Sequence, residues 1–236
     1  MRMRKKPHLA ERMERCAAVW AREPAQLRGR WKELLPRARE IRLEIGCGKG
    51  KFTVETAALE PDVLFIGLER VADAMVMGME AAMEQGLPNL FFAEGDAADL
   101  LNWFAPEEVD GIYLNFCDPW PSNQKRKRRL TYRDFLKKYR TVLRPGGWLR
   151  FRTDNTQLFA FSKIEFTAEG WRLENVTTDR HKDGPVGVMT GYEERFYAQG
   201  LPICALEAYT PLTPPAEPQT AQEGETDNDH QDPDRG

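Results

Sequence analysis

Five carboxylates, Glu44, Glu69, Asp96, Asp118 and Asp154, each close or directly follow a short apolar run. An ionised carboxylate only accepts hydrogen bonds, so a series of them suits a ligand rich in hydroxyls and amines, or one that carries positive charge. Ligands of open parallel sheets sit outside the carboxyl ends of the strands, and acids recurring at those ends are expected to face one pocket. Glu44 stands in the stretch IRLEIGCGKGKF, residues 41–52, where an apolar run meets Gly46, Gly48 and Gly50. A strand that reverses into a helix over a ligand needs residues without a Cβ, because the backbone takes positive φ and approaches the ligand closely.

Spacing sorts the ligands that such a turn takes. A phosphate-cradling loop needs a hydroxyl after its glycine and lysine, and here Gly50-Lys51 is followed by Phe52. A dinucleotide site spaces its glycines G-x-G-x-x-G, whereas these run G-x-G-x-G behind an acid; NAD stays open as the second choice. The acid-x-G-x-G-x-G order resembles motif I of the Rossmann-like methyltransferases that bind S-adenosylmethionine, whose ammonium group a carboxylate can balance. Glu69 lies nineteen residues beyond Gly50, where doubly wound nucleotide-binding folds place an acid on the ribose hydroxyls. Glu44, Glu69 and Asp96 together suit one adenosyl ligand.

A second chemistry sits at Cys117-Asp118-Pro119-Trp120-Pro121-Ser122. Two prolines hold the backbone, and Trp120 sets a flat face beside the Asp118 carboxylate, so the loop can grip a planar base. Lys125, Arg126, Lys127, Arg128 and Arg129 follow, five cations in a row that read as contacts to a phosphate backbone beside a base pocket. His181 has no partner at a useful spacing and is expected at the surface or against RNA. The four cysteines are scattered without a C-x-x-C, which implies neither a disulfide framework nor a metal site.

The elements that position these groups follow from the periodicity. Strands are expected at 41–45, 63–69, 89–93, 110–116, 148–152, 171–177 and 203–209, with helices behind Gly50 and at 71–85, 97–104, 132–143, after Asp154 to 168, and 190–199. Thr131 is expected to cap the helix at 132–143. Met75, Met77, Met79 and Met83 read as core filling. Alternation of strand and helix over 236 residues implies one α/β domain.

The net charge of −3 conceals an asymmetry. Residues 1–42 carry thirteen Lys and Arg against five Asp and Glu, while residues 211–236 carry one against seven. Three segments are expected: a basic, irregular N-terminal extension at 1–40 interrupted by Pro24 and Pro36, the α/β domain at 41–210, and an acidic disordered tail at 211–236. Without the tail the chain is net +3, the balance of a protein that touches a polyanion. The basic start lacks the apolar stretch of a signal peptide and no run is long enough to cross a bilayer, so a cytoplasmic protein without a membrane partner is expected. Nothing in the pattern favours a monomer over a homodimer.

LNFCDPWP at 114–121, KRRLTY at 127–132, RPGG at 144–147, RTD at 152–154 and TGYE at 190–193, with the glycine turn, are similar in kind and order to the bacterial tRNA (guanine-N7)-methyltransferases over residues 40–209. The resemblance implies the Rossmann-like class I methyltransferase fold, a seven-stranded mostly parallel sheet with helices on both faces. It also implies methyl transfer from S-adenosylmethionine to N7 of a guanine in the variable loop of tRNA, with no metal. By motif, Glu44, Gly46, Gly48, Gly50, Glu69, Asp96 and Asp118 take cofactor positions, and Asp118 is also the catalytic acid. Ser122, Asp154, Thr190, Tyr192 and Glu193 take substrate positions, and the basic run takes the RNA-contact position. Ser122 replaces the family's usual lysine, and Gln124 and Lys125 replace a common Arg and His. Altered RNA affinity is expected from these departures before lost activity.

Overall fold

The stretches at 63–68 and 90–93 are apolar on both faces, the mark of a sheet covered on both sides. The computed structural model describes residues 7–212. It places strands at Glu40–Ile45 (β1), Val63–Glu69 (β2), Leu90–Glu94 (β3), Val109–Asn115 (β4), Leu143–Thr153 (β5), Arg172–Thr177 (β6) and Cys204–Tyr209 (β7). They form one sheet in the order β3-β2-β1-β4-β5-β7-β6. Neighbours from β3 to β5 run parallel, and β7 is antiparallel to both β5 and β6. The expected seven-stranded, mostly parallel α/β sheet is present. Because β1 and β4 are neighbours, the winding reverses between them, and a crevice opens there at the carboxyl ends.

Helices cover both faces: Leu9–Arg15 (α1), Lys51–Leu59 (α2), Ala72–Glu84 (α3), Leu100–Trp103 (α4), Arg133–Val142 (α5), Thr156–Ala168 (α6) and Gly191–Ala198 (α7). One core includes residues of α4, α5 and α6; a second is packed from α1, α2 and α3, where Met75 and Met79 are fully buried. Gly50, at φ +75°, ends the glycine turn against α3, and a Cβ on it would lie 2.6 Å from the Cα of Gly78. The third glycine of the motif therefore serves helix packing, paired with a glycine on α3 that the motif does not reveal.

Two expectations about local structure differ from what is observed. The RPGG stretch at 144–147, whose proline and paired glycines read as a turn, lies inside β5, accommodated by a register shift between Val109 and Gly111 with Gly146 at φ +71°. Thr131 does not cap α5; it is buried, and its hydroxyl is 2.7 Å from that of Ser162. The Glu165 carboxylate instead accepts from the Arg133 amide at 2.9 Å, so α6 satisfies the start of α5.

Residue 40 is not a boundary in the packing. The preceding segment is irregular beyond α1, with 3-10 turns at Ala17–Val19, Pro24–Leu27 and Trp31–Leu34. It is nevertheless bound to the body: the Trp31 ring, fully buried, stacks on Phe104 at 5.1 Å and its indole N–H donates to Trp103 O at 2.8 Å. Buried aromatics dominate such contacts energetically, which a charge count cannot register. The expected acidic tail lies outside the described residues from 213 onward. Among the described residues no helix is long and apolar enough to cross a membrane.

Candidate functional site

Two adjoining clefts open at the carboxyl ends of the strands and share Gly46, Asn115 and Phe116. The smaller, about 330 Å³, runs from Glu44 and the glycine turn to Thr190, Tyr192 and Arg195. The larger, about 690 Å³, is lined by Glu69, Asp96, Asp118, Trp120, Lys127 and Arg128. Gly46 and Gly48 have φ of +78° and +57°, and a Cβ on either would meet nothing within 4 Å. Their backbone forms bare wall there.

Each strand-end acid is held differently. Glu44 is 3% exposed; it accepts from the Thr53 hydroxyl and from Asn115 Nδ2 at 2.9 Å. Burial pushes its carboxyl up to about 7, against the opposing pull of Thr53, Asn115 and the Arg152 charge. Glu69 accepts from the amides of Gly48, Arg70 and Val71 at 2.9, 2.9 and 3.0 Å, tying the end of β2 to the glycine turn. Asp96 caps the following turn by accepting from the Ala98 amide at 2.9 Å and meets Arg70 Nη1 at 3.3 Å. Asp118 lines the larger cleft and accepts no hydrogen bond among the described residues. Of the four, it is the carboxylate most available to a ligand.

The loop carrying Asp118 is strained and braced. Phe116 and Trp120 have φ of 54° and 40°, a region that non-glycine residues occupy only where the surroundings impose it. Arg129 supplies the brace: its Nε donates to Pro119 O at 2.9 Å and Nη2 to Trp120 O at 3.0 Å, with the guanidinium 4.3 Å from the Phe161 ring centroid. Arg129 is buried and is a structural clamp, contrary to its expected RNA contact. Lys125, Arg126, Lys127 and Arg128 lie exposed on a 3-10 turn at Asn123–Arg128. Lys125 and Arg128 stand 5.9 and 5.1 Å from the Trp120 ring centroid. Ser122 precedes this turn, exposed and without a capping hydrogen bond.

Across the smaller cleft, α7 begins with a capping box in which the Thr190 hydroxyl accepts from the Glu193 amide and the Glu193 side chain accepts from the Thr190 amide. Glu193 is fully buried and also accepts from Arg152 Nη1 at 3.0 Å and His181 Nε2 at 2.9 Å. It holds the fold from inside, and its expected place among direct substrate contacts is corrected accordingly. His181 is likewise interior, its Nδ1 accepting from the Val186 amide at 3.2 Å, and not at the surface. Thr190 and Tyr192 do face the cleft; the Tyr192 hydroxyl reaches Asp154 Oδ2 at 3.4 Å and its ring packs on Phe116 at 5.0 Å.

Sequence reasoning missed Asn115, Phe116 and Arg195 as wall residues. The available signal was a polar residue ending an apolar strand, the asparagine of Leu114-Asn115-Phe116.

A family model described as a putative methyltransferase matches residues 38–206. The chain is 42% identical over 212 residues to the tRNA (guanine-N(7)-)-methyltransferase of Geobacillus thermodenitrificans, covering 89% of this chain and 98% of the relative. It is 39% identical over 211 residues to that of Lactococcus lactis subsp. cremoris, covering 88% and 97%. In three dimensions it resembles the crystal structure of the 16S rRNA methyltransferase KamB, with a TM-score of 0.59 at 16% identity over 78% of this chain and 93% of the other. A 16S rRNA (adenine(1408)-N(1))-methyltransferase from Catenulisporales acidiphilia aligns with a TM-score of 0.56 at 16% identity, covering 82% and 93%. At that identity the likeness is one of fold.

Proposed function

Because this chain belongs to the tRNA (guanine-N7)-methyltransferases, we propose that its paired clefts move a methyl group from S-adenosylmethionine to N7 of a guanine in the variable loop of a cytoplasmic tRNA. The observation that carries the reading is the meeting of two clefts at Gly46, Asn115 and Phe116, one walled by Glu69, Asp96 and Asp118 and the other by Glu44 and Thr190.

The residues present fit the donor. Bare backbone at Gly46 and Gly48 leaves room for a ligand in close contact, and the carboxylates match its hydroxyls, amine and positive charge. Glu69 would hold the ribose, Asp96 the adenine side, and Glu44 the amino-acid end. When bound, S-adenosylmethionine supplies an electrophilic methyl on a sulfonium.

Guanine N7 has an in-plane lone pair and no proton, so no general base is required and orientation is the task. Aligning the reactants in one site can be worth ~7 to 11 kcal/mol. Asp118, without a hydrogen-bond partner among the described residues and lining the cleft with Trp120, accepts from the guanine N1–H and amino group and turns N7 toward the donor. Its charge also stabilises the positive charge that builds on the purine. Asp154 acts through Tyr192, whose ring, with Phe116, walls the base in. Lys125, Arg126, Lys127 and Arg128 stand where a phosphate backbone would pass, and their number offsets the loss of a cation at Ser122.

Incubating the protein with bulk tRNA and methyl-labelled S-adenosylmethionine, then digesting to nucleosides, tests the reading. Label in 7-methylguanosine that maps to the variable loop supports it. Label on another base, or none, overturns it.

A further inference from the structure

We propose that Asn115 is a binding residue for the methyl donor, its side-chain carbonyl accepting a hydrogen bond from the donor's α-ammonium. This rests on the cofactor reading above. Asn115 ends β4 next to the winding reversal, is 7% exposed, and lines both clefts where they join. Its Nδ2 donates to Glu44 Oε1 at 2.9 Å, while its Oδ1 is buried with no partner among the described residues.

The chemistry fixes which amide atom is left over. With the donor's positive ammonium beside it Glu44 is ionised and only accepts, so the asparagine presents its NH2 to it, as the 2.9 Å contact shows, and is left with a carbonyl oxygen. A buried acceptor without a partner is costly and calls for a donor from elsewhere. The donor ligand offers ribose hydroxyls, an adenine amine and an ammonium. Glu69 and Asp96, on the far strands, take the first two, and Asp118 faces the guanine. The group beside Glu44 is the ammonium, whose several N–H bonds can serve both Glu44 and Asn115. The same arrangement explains Thr53, which with Asn115 Nδ2 holds the Glu44 carboxylate in one orientation.

The test is titration calorimetry with S-adenosylhomocysteine, which carries the ammonium, and methylthioadenosine, which lacks the whole amino-acid arm. Binding of S-adenosylhomocysteine by the unaltered protein checks the cofactor reading itself. Asn115→Ala is expected to weaken S-adenosylhomocysteine about ten-fold or more, as for loss of a hydrogen bond to a charged group, and methylthioadenosine less than about two-fold. Asn115→Asp keeps an acceptor in place and is expected to retain the preference for S-adenosylhomocysteine, which keeps the idea testable should the alanine variant fold poorly. Equal weakening of both ligands in Asn115→Ala, or loss of the preference in Asn115→Asp, overturns the assignment. So does unchanged S-adenosylhomocysteine affinity with a raised KM for tRNA, which would put the carbonyl on the guanine.

Discussion

His181 Nε2 lies 2.9 Å from Glu193 Oε1 in a region almost without solvent, and the same carboxylate receives Arg152 Nη1 at 3.0 Å. Removing one partner from a buried charge pair leaves the other uncompensated, at about 3 to 5 kcal/mol. Glu193→Ala is expected to lower unfolding stability by that order in urea titrations without any ligand. A variant as stable as the parent but unable to bind tRNA would return Glu193 to the substrate surface.

Asp118 behaves in the opposite way. Its carboxylate supports no internal hydrogen bond among the described residues, so Asp118→Ala should leave the thermal midpoint nearly unchanged. The single-turnover methylation rate should fall about 10²- to 10³-fold, the usual result of removing one preorganised electrostatic contact. Single-turnover measurements with saturating tRNA separate this from weaker binding.

Glu44 gives a pH dependence with a definite sign. Burial raises its carboxyl from 4.5 to about 7, so between those values the folded protein holds a proton that the unfolded chain has released. Its contribution is fully present below pH ~4.5 and is lost as pH rises through about 7, by up to about 3 kcal/mol. Glu44→Gln removes the titration. Relative to the parent, the variant should gain stability on going from pH 5 to pH 8, as read from denaturant midpoints; a constant difference would contradict the burial argument.

The motif glycines should separate into two kinds. Gly48→Ala points its methyl into open cleft and should fold with a penalty of about 1 kcal/mol for positive φ, while losing S-adenosylhomocysteine binding. Gly50→Ala drives a methyl to 2.6 Å from Gly78 and should cost more than about 2 kcal/mol in stability. Calorimetry and thermal unfolding on both variants check the division.

Within the basic run, Arg126→Ala should weaken tRNA binding and lower the slope of log affinity against log salt by about one. Arg129→Ala should leave that slope alone and reduce the methylation rate, because it frees Pro119 and Trp120. A reduced slope in Arg129→Ala would mean that this guanidinium reaches phosphate.

The sheet and its strand-end acids were legible because period, glycine spacing and acid placement are local signals. Glu44, Glu69, Asp96 and Asp118 do line the joined clefts as expected. What stayed hidden depends on partners distant in sequence. Arg129 is chemically the same as its neighbours until Phe161 and the Trp120 carbonyl are seen beside it. Glu193 looks like a surface acid until Arg152 arrives from β5 and His181 from the preceding loop. Trp31 sits in a stretch whose charge and prolines suggest a loose arm, and nothing local indicates the aromatic pocket that takes it.

The docking of Trp31 sets an order of events during synthesis. Its backbone amide donates to Glu108, 77 residues later, and its indole rests against residues of similar distance. The segment around Trp31 therefore waits, its largest apolar ring in water, until about a third of the chain has followed it. A nascent chain stalled before that point should be cut readily by protease near Trp31, and one stalled well beyond it should resist.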